Sequence, residues 1–412
     1  MKKRIGFGTY RITEHNPEHL EALTHALKLG VNLIDTSSNY MNGEAECAIA
    51  KVFATLSSEV TDKVEIVSKF GYIQGPLLEE IKANENKYKN VVKYSDTCYH
   101  SIESKFISEQ LTSSLSRLNI DSIDCYLIHN PEYYILDSLN RGLPKEKMLD
   151  EMLQRIYDAF LTLENEVALG RIKAYGISSN SFSKSSSSEE FLPYEDLVTL
   201  AEHAAKELHI ESHHFTTIEL PINMIEREGL KCAKWAKENG LHVLVNRALN
   251  AQYIDKEHGV QMYRIADYSE PSEYYHHLNA LLELTDVESL QNVHNLIGQL
   301  DDNRHKFTWI GAYDNFLYTQ ILPHLRNSFE VLDEQLQFEL ATQMNDFLTQ
   351  YAKMVAFECS KNTKRELASV LSECTRPLQE CALQFLDKQD DIDTILIGMR
   401  KLSYVNDILN NR

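Results

Sequence analysis

Short apolar runs alternate along the chain with longer stretches in which apolar residues recur every three or four positions. The runs at 4–9, 31–35, 64–69, 123–129, 172–178, 215–220, 241–246 and 393–398 read as buried strands. Helical spacing fills the gaps: Leu20, Leu23 and Leu27 ahead of Gly30, then segments near 45–56, 105–118, 147–169, 192–208, 226–239 and 377–386, and a short one at the end of the chain. The punctuation agrees, with Asn16-Pro17 supplying a cap and a first-turn proline, and Gly30, Gly170 and Gly240 each closing a helix. Strands alternating with helices specify a parallel sheet with crossover connections, and eight such units are the number that closes a barrel. The fold class expected is α/β, a (β/α)8 TIM barrel. An open doubly wound sheet is the alternative, but Gly6-Phe7-Gly8 lacks the third glycine of a dinucleotide-binding turn.

Two stretches exceed an ordinary connection. Residues 71–101, rich in lysine and asparagine with weak periodicity, read as a long loop after the third strand. Residues 251–376 carry helical patterns (Leu278, Leu281 and Leu282; Leu336, Leu340, Met344 and Leu348) and read as a helical insertion between strands 7 and 8. The domain organisation expected is one barrel over 1–412 with these two insertions. Both follow the C-terminal end of a strand and so project over the barrel face where active sites lie.

Composition narrows the function. Among 412 residues, 43% are hydrophobic and 25% charged, ordinary proportions for a globular chain, and no apolar run approaches the roughly 20 residues that cross a bilayer. No membrane association is expected. The first ten residues hold no apolar core followed by a cleavage site, so a cytoplasmic location is expected. The seven cysteines include no CxxC pair and no metal-ligand spacing, which points to reduced thiols and no metal site. A formal charge of -20 repels nucleic-acid backbones, so no nucleic-acid partner is expected.

The chemistry gathers at strand ends. Asp35 closes the second strand, Lys69 the third and His129 the fourth; neighbouring strands lie about 4.8 Å apart, which brings the three within roughly 10 Å. A carboxylate at the mouth of an apolar strand requires a cation, and Lys69 is the one within reach. Tyr40 follows Asp35 by five residues and folds back over the group. A positive charge about 4 Å from its phenol, at an effective dielectric near 20, favours phenolate by about 4 kcal/mol before desolvation is subtracted. On that reading Lys69 makes Tyr40 acidic enough to exchange a proton near neutral pH. Taken singly, Asp35 with Lys69 is equally well a structural ion pair and His129 a satisfied strand-end histidine; their common place at successive strand ends favours a site.

The sequence resembles the aldo-keto reductase family from Gly6 to the C-terminus outside the two insertions. The resemblance rests on Gly-Phe-Gly-Thr-Tyr-Arg at 6–11, Asp-x4-Tyr at 35–40, Val-Ser-Lys at 67–69, Leu-Ile-His-Asn-Pro at 127–131, Gly-Ile-Ser-Ser-Asn at 176–180 and Ile-Gly-Met-Arg at 397–400. It implies a catalytic group of Asp35, Tyr40, Lys69 and His129, with hydride transfer between a nicotinamide cofactor and a small carbonyl or sugar substrate. It further implies cofactor contacts from Gly8, Thr9, Tyr10, Ser178, Asn180, Glu219, Arg247, Gly398, Arg400 and Lys401. Ser179 interrupts the family's Ser-Asn pair, Glu219 stands where a glutamine is common, and Asn246 precedes Arg247 where many members carry a stacking tyrosine. Arg247 is expected either on the cofactor pyrophosphate or paired with an acid. Arg400 and Lys401 place two cations near the adenosine ribose, so NADP is expected as cofactor, with NAD the alternative. A rival reading keeps cofactor binding but makes the barrel a regulatory or interaction module.

Overall fold

A computed structural model describes residues 2–255, 259–329, 332–369, 371 and 374–410. The eight expected strands are present as β1 (Arg4–Gly8), β2 (Leu33–Asp35), β3 (Glu65–Phe70), β4 (Ile123–His129), β5 (Ile172–Ser178), β6 (Phe215–Pro221), β7 (His242–Asn246) and β8 (Thr394–Gly398). They form a closed parallel barrel in which β8 returns to β1 with Arg4 opposite Thr394 and Gly8 opposite Gly398. Closure leaves no unpaired strand edge, which is why runs such as Val-Leu-Val and Ile-Leu-Ile can be apolar on both faces. The chain is thus the (β/α)8 barrel its spacing predicts, with the strand bounds moved by one or two residues.

Local chemistry accounts for the first helix, Pro17–Lys28. Asn16 Oδ1 accepts from the Glu18 amide at 3.0 Å, Pro17 occupies the first turn, and the chain leaves the helix through Gly30 at φ 95°, a conformation that disfavours side chains with a Cβ. A helix that the spacing does not announce, Tyr133–Asn140, lies between β4 and the long helix Lys145–Ala168.

The first insertion is not a bare loop. Tyr72–Ile73, Cys98–His100 and Val92–Ser95 form a small antiparallel sheet, and Gly75–Ala83 is helical. Strands of two to four residues that pair Tyr72 with His100 leave no periodic trace in the sequence, which explains the misreading. Its lysines make surface pairs: Lys82 with Glu79, Lys87 with Glu80 and Lys93 with Glu85.

The chain divides into two compact units, one of residues 1–222, 226–248 and 385–412, the other of residues 223–225 and 249–384. The second corresponds to the expected helical insertion, of which residues 256–258, 330–331, 370 and 372–373 lie outside the described residues. Besides helices it contains a hairpin, Asn250–Asp255 with Gly259–Arg264. Its core is its own: Tyr274, Leu278, Leu281, Leu340, Met344, Phe347 and Tyr351 are buried together, with the 33-residue helix Glu334–Glu366 along one side of the cluster. Cys374 and Cys381 are joined as a disulfide, which corrects the expectation of seven reduced thiols; the turn into the helix Leu378–Asp387 brings their Cα atoms to 6.2 Å. Among the described residues no helix is long and apolar enough to cross a membrane.

Candidate active site

A strand turns a side chain inward every second residue, and this step carries the barrel from its apolar interior to its polar mouth. Leu33, Val67, Cys125, Leu127, Leu244 and Leu396 pack as one buried cluster. Two positions beyond Leu33, Val67, Leu127 and Leu244 stand Asp35, Lys69, His129 and Asn246, and on β6 Glu219 holds the equivalent place after Thr217. Three of the expected catalytic residues, Asp35, Lys69 and His129, therefore stand at strand C-terminal ends, and Glu219, expected as a cofactor contact, joins them.

Lys69 is entirely buried. Its ammonium donates to Asp35 Oδ1 and to the Thr36 carbonyl at 3.2 Å, and lies 3.2 Å from Glu219 Oε2. It sits 5.3 Å from the centroid of the Tyr40 ring. The Tyr40 ring in turn lies 6.0 Å from that of His129 and 5.3 Å from that of Tyr10. Ser37 Oγ is 3.2 Å from His129 Nδ1, and His100 Nε2 donates to the His129 carbonyl at 2.7 Å.

These neighbours set the charges. Burial pushes the Asp35 carboxyl well above its ordinary range, Glu219 adds to the push, and Lys69 opposes both. Burial alone disfavours charge on Lys69, but Asp35 and Glu219 outweigh it and hold the ammonium charged. Burial and the charge of Lys69 keep His129 neutral. For Tyr40 the outcome differs from the expectation: burial raises the phenol, Lys69 lowers it, and Asp35 and Glu219 raise it again, so it ends above its ordinary value. The expectation counted one cation before desolvation; burial is the largest cause of the rise, and the two carboxylates add to it.

The expected cofactor residues fall less uniformly. Thr9 is buried, its hydroxyl donating to the Asp35 carbonyl at 2.9 Å, while Tyr10 is 63% exposed and Gly8 pairs with Gly398 across the barrel seam. Ser178 is buried at the end of β5, and Asn180 is exposed, with Nδ2 donating to Asn130 Oδ1 at 3.1 Å. The intervening Ser179 turns to Glu132, donating from Oγ at 2.8 Å. Arg247, of the two alternatives, is paired: its Nη2 donates to Glu226 Oε1 at 2.6 Å. Glu219 accepts from Asn246 Nδ2 at 2.8 Å, and its other carboxylate oxygen faces the Lys69 ammonium at 3.2 Å. Arg400 and Lys401 form no ion pair with any described residue.

Several residues of the site escaped the sequence reading. Tyr72, from the first insertion, packs its ring 4.8 Å from that of His129, and its hydroxyl accepts from Asn130 Nδ2 at 2.6 Å. Asn130 itself is left-handed at φ 51°, a conformation asparagine tolerates. Glu132, buried and pushed up to about 7 by desolvation, accepts from Ser179 and from the Asn180 amide. For Glu219 the two-residue step from an inward position signals that it faces the barrel mouth, but not that it reaches Lys69.

The profile of the aldo/keto reductase family matches residues 4–296, and the chain belongs to that family. It is similar to the NADH-specific methylglyoxal reductase of Escherichia coli (strain K12), 31% identical over 113 residues that cover 27% of this chain and 30% of that protein. It is also similar to the NADP(+) aldo-keto reductase yakc of Schizosaccharomyces pombe, 31% identical over 130 residues, 30% of this chain and 33% of that one. The similarity thus spans about a third of these curated relatives. Among solved structures, the glycerol dehydrogenase AKR11B4 from Gluconobacter oxydans is similar at 16% identity and a TM-score of 0.48, over 99% of this chain and 86% of that chain.

Proposed function

We propose that this chain is an NAD(P)-dependent oxidoreductase that interconverts a small aldehyde, ketone or sugar carbonyl and its alcohol, with Tyr40 giving the proton to the carbonyl oxygen. The observation that carries this is a buried, charged Lys69 against the Tyr40 ring, with a neutral imidazole, His129, 6.0 Å from that ring at the mouth of a closed barrel. A nicotinamide bound there would supply the hydride. Tyr40 protonates the oxygen as negative charge develops on it, His129 lends a neutral hydrogen bond to the same oxygen, and Lys69 stabilises the phenolate left behind. Asp35 holds Lys69 in place.

The residues present suit a phosphorylated dinucleotide. Asn246 Oδ1 is buried without a hydrogen-bond partner among the described residues, an acceptor suited to a carboxamide NH2. Arg400 and Lys401 precede the helix Leu402–Leu409 with no carboxylate engaged, as a 2'-phosphate requires. We therefore assign NADP(H) over NAD(H). The relatives carry both preferences in their names, so the choice rests on these two cations. Binding titrations should show Arg400→Ala losing NADP(H) affinity by about tenfold or more, the scale of one charge-assisted contact, with NAD(H) little changed. Equal losses for the two cofactors would remove the assignment.

Tyr40→Phe tests the mechanism. It keeps the ring but deletes the exchangeable proton, so cofactor binding should persist while turnover falls by about 10² to 10⁴. A variant that reduces a panel of aldehydes, ketones and sugars at the wild-type rate would show the proton comes from elsewhere. Wild-type protein that binds cofactor yet turns over none of the panel would favour the regulatory module instead.

A further inference from the structure

Two acids, not one, converge on Lys69. Glu219 is almost wholly buried at the end of β6; its Oε1 accepts from Asn246 Nδ2 at 2.8 Å and its Oε2 lies 3.2 Å from the Lys69 ammonium. Asp35 occupies the other side from β2. The Tyr40 phenol is faced by Lys69 from β3, Asp35 from β2, Glu219 from β6, His129 from β4 and Tyr10 from the segment after β1, with Tyr72 behind His129. We propose that Glu219 is a second counter-ion of Lys69 that keeps the Tyr40 phenol protonated, and so makes carbonyl reduction, not alcohol oxidation, the working direction of the site near neutral pH. This rests on Tyr40 being the proton donor proposed above.

The argument is a charge count. Asp35, Glu219 and Lys69 sum to one net negative charge when all are ionised, a costly state in a buried site, and the Asp35 carboxyl is accordingly raised by burial and by Glu219 beside it. A carboxyl nevertheless yields its proton before a phenol does. At the pH where Tyr40 would ionise, both carboxylates are therefore already charged, and the phenolate would be the third anion around one ammonium. With Asp35 alone it would be the second. Reduction needs Tyr40 only as a donor and tolerates this arrangement. Oxidation needs the phenolate to accept the alcohol proton, and Glu219 opposes that form. Glu219 thus acts through Lys69 and Tyr40 as a positioning residue, needing no contact with substrate.

Titration of ring-labelled tyrosine by carbon NMR tests this without turnover, the Tyr40 signal being the one absent from Tyr40→Phe. In the wild type Tyr40 should remain un-ionised through pH 10, its ordinary midpoint. Glu219→Gln, which keeps the oxygen that Asn246 uses, should lower the midpoint by about one pH unit or more, as loss of one nearby charge requires. Glu219→Asp, which keeps the charge, should leave it nearer the wild type. In active protein, the pH at which alcohol oxidation rises should move down in Glu219→Gln by a similar amount. A wild-type midpoint below 9, or equal midpoints in wild type and Glu219→Gln, would overturn the proposal, as would equal shifts from both substitutions. The wild-type titration decides even if a variant fails to fold, and wild-type protein inactive on every carbonyl would count against the oxidoreductase reading alone.

Discussion

An ammonium with no exposure, such as that of Lys69, is stable only while its carboxylates stay beside it, and they in turn depend on it. Lys69→Met should therefore leave Asp35 and Glu219 buried without a cation. Asp35 is already raised in the fold, and without Lys69 it rises further, so the native state of the variant holds protons that the unfolded chain releases above the ordinary carboxylate range. Stability of the variant should fall as pH rises. The loss against wild type should be small at pH 5 and roughly 3–5 kcal/mol at pH 8, the range for breaking a buried pair. Urea denaturation at both values reads it, and an equal loss at both would contradict the charge account. Asp35, Tyr40, Lys69 and His129 were legible because each has a fixed place relative to a strand end. Glu219 was visible as a residue but not as a partner of Lys69, because β6 and β3 are not neighbours in the barrel and their ends face each other only once the ring is closed.

The element that tunes the mouth most closely is the turn after β3. Gly71 follows Lys69 by two residues at φ 141°, and a Cβ there would fall 2.5 Å from His100 Nε2 and 2.8 Å from the His129 carbonyl oxygen. Gly71→Ala should break the His100 to His129 hydrogen bond or move the turn, costing about 1–3 kcal/mol for a strained backbone position. It should also lower turnover by displacing His129 and Tyr72. Thermal melts and kinetics together check this, and a variant of wild-type stability and activity would show that the turn relaxes freely. The strands of the first insertion were illegible for a related reason. Tyr72 finds its partner His100 only far along the chain, and with so few residues each the strands carry no alternation to read.

At the scale of the whole chain, the unit built largely from residues 249–384 is buried around its own aromatic cluster. Phe347 has no exposure and packs on Tyr274 and Tyr351, so Phe347→Ala should cost about 3–5 kcal/mol of local stability. Hydrogen exchange within the helix Glu334–Glu366 should accelerate accordingly, and unchanged exchange there would argue that the ring is dispensable. The helical character of this unit was legible from Leu278, Leu281, Leu340 and Met344, because a repeat of three to four is written in the chain itself. The same holds for the eight barrel strands, whose order follows from strict alternation and right-handed crossovers. The sequence by itself therefore determined the barrel and the residues at its strand ends. Tertiary structure alone decided the pairing of Arg247 with Glu226, the disulfide of Cys374 with Cys381, the packing of Tyr72 on His129 and the second carboxylate on Lys69. Periodicity is a property of neighbours along the chain, whereas each of these depends on which side chains the folded barrel or its insertions bring within a few ångströms.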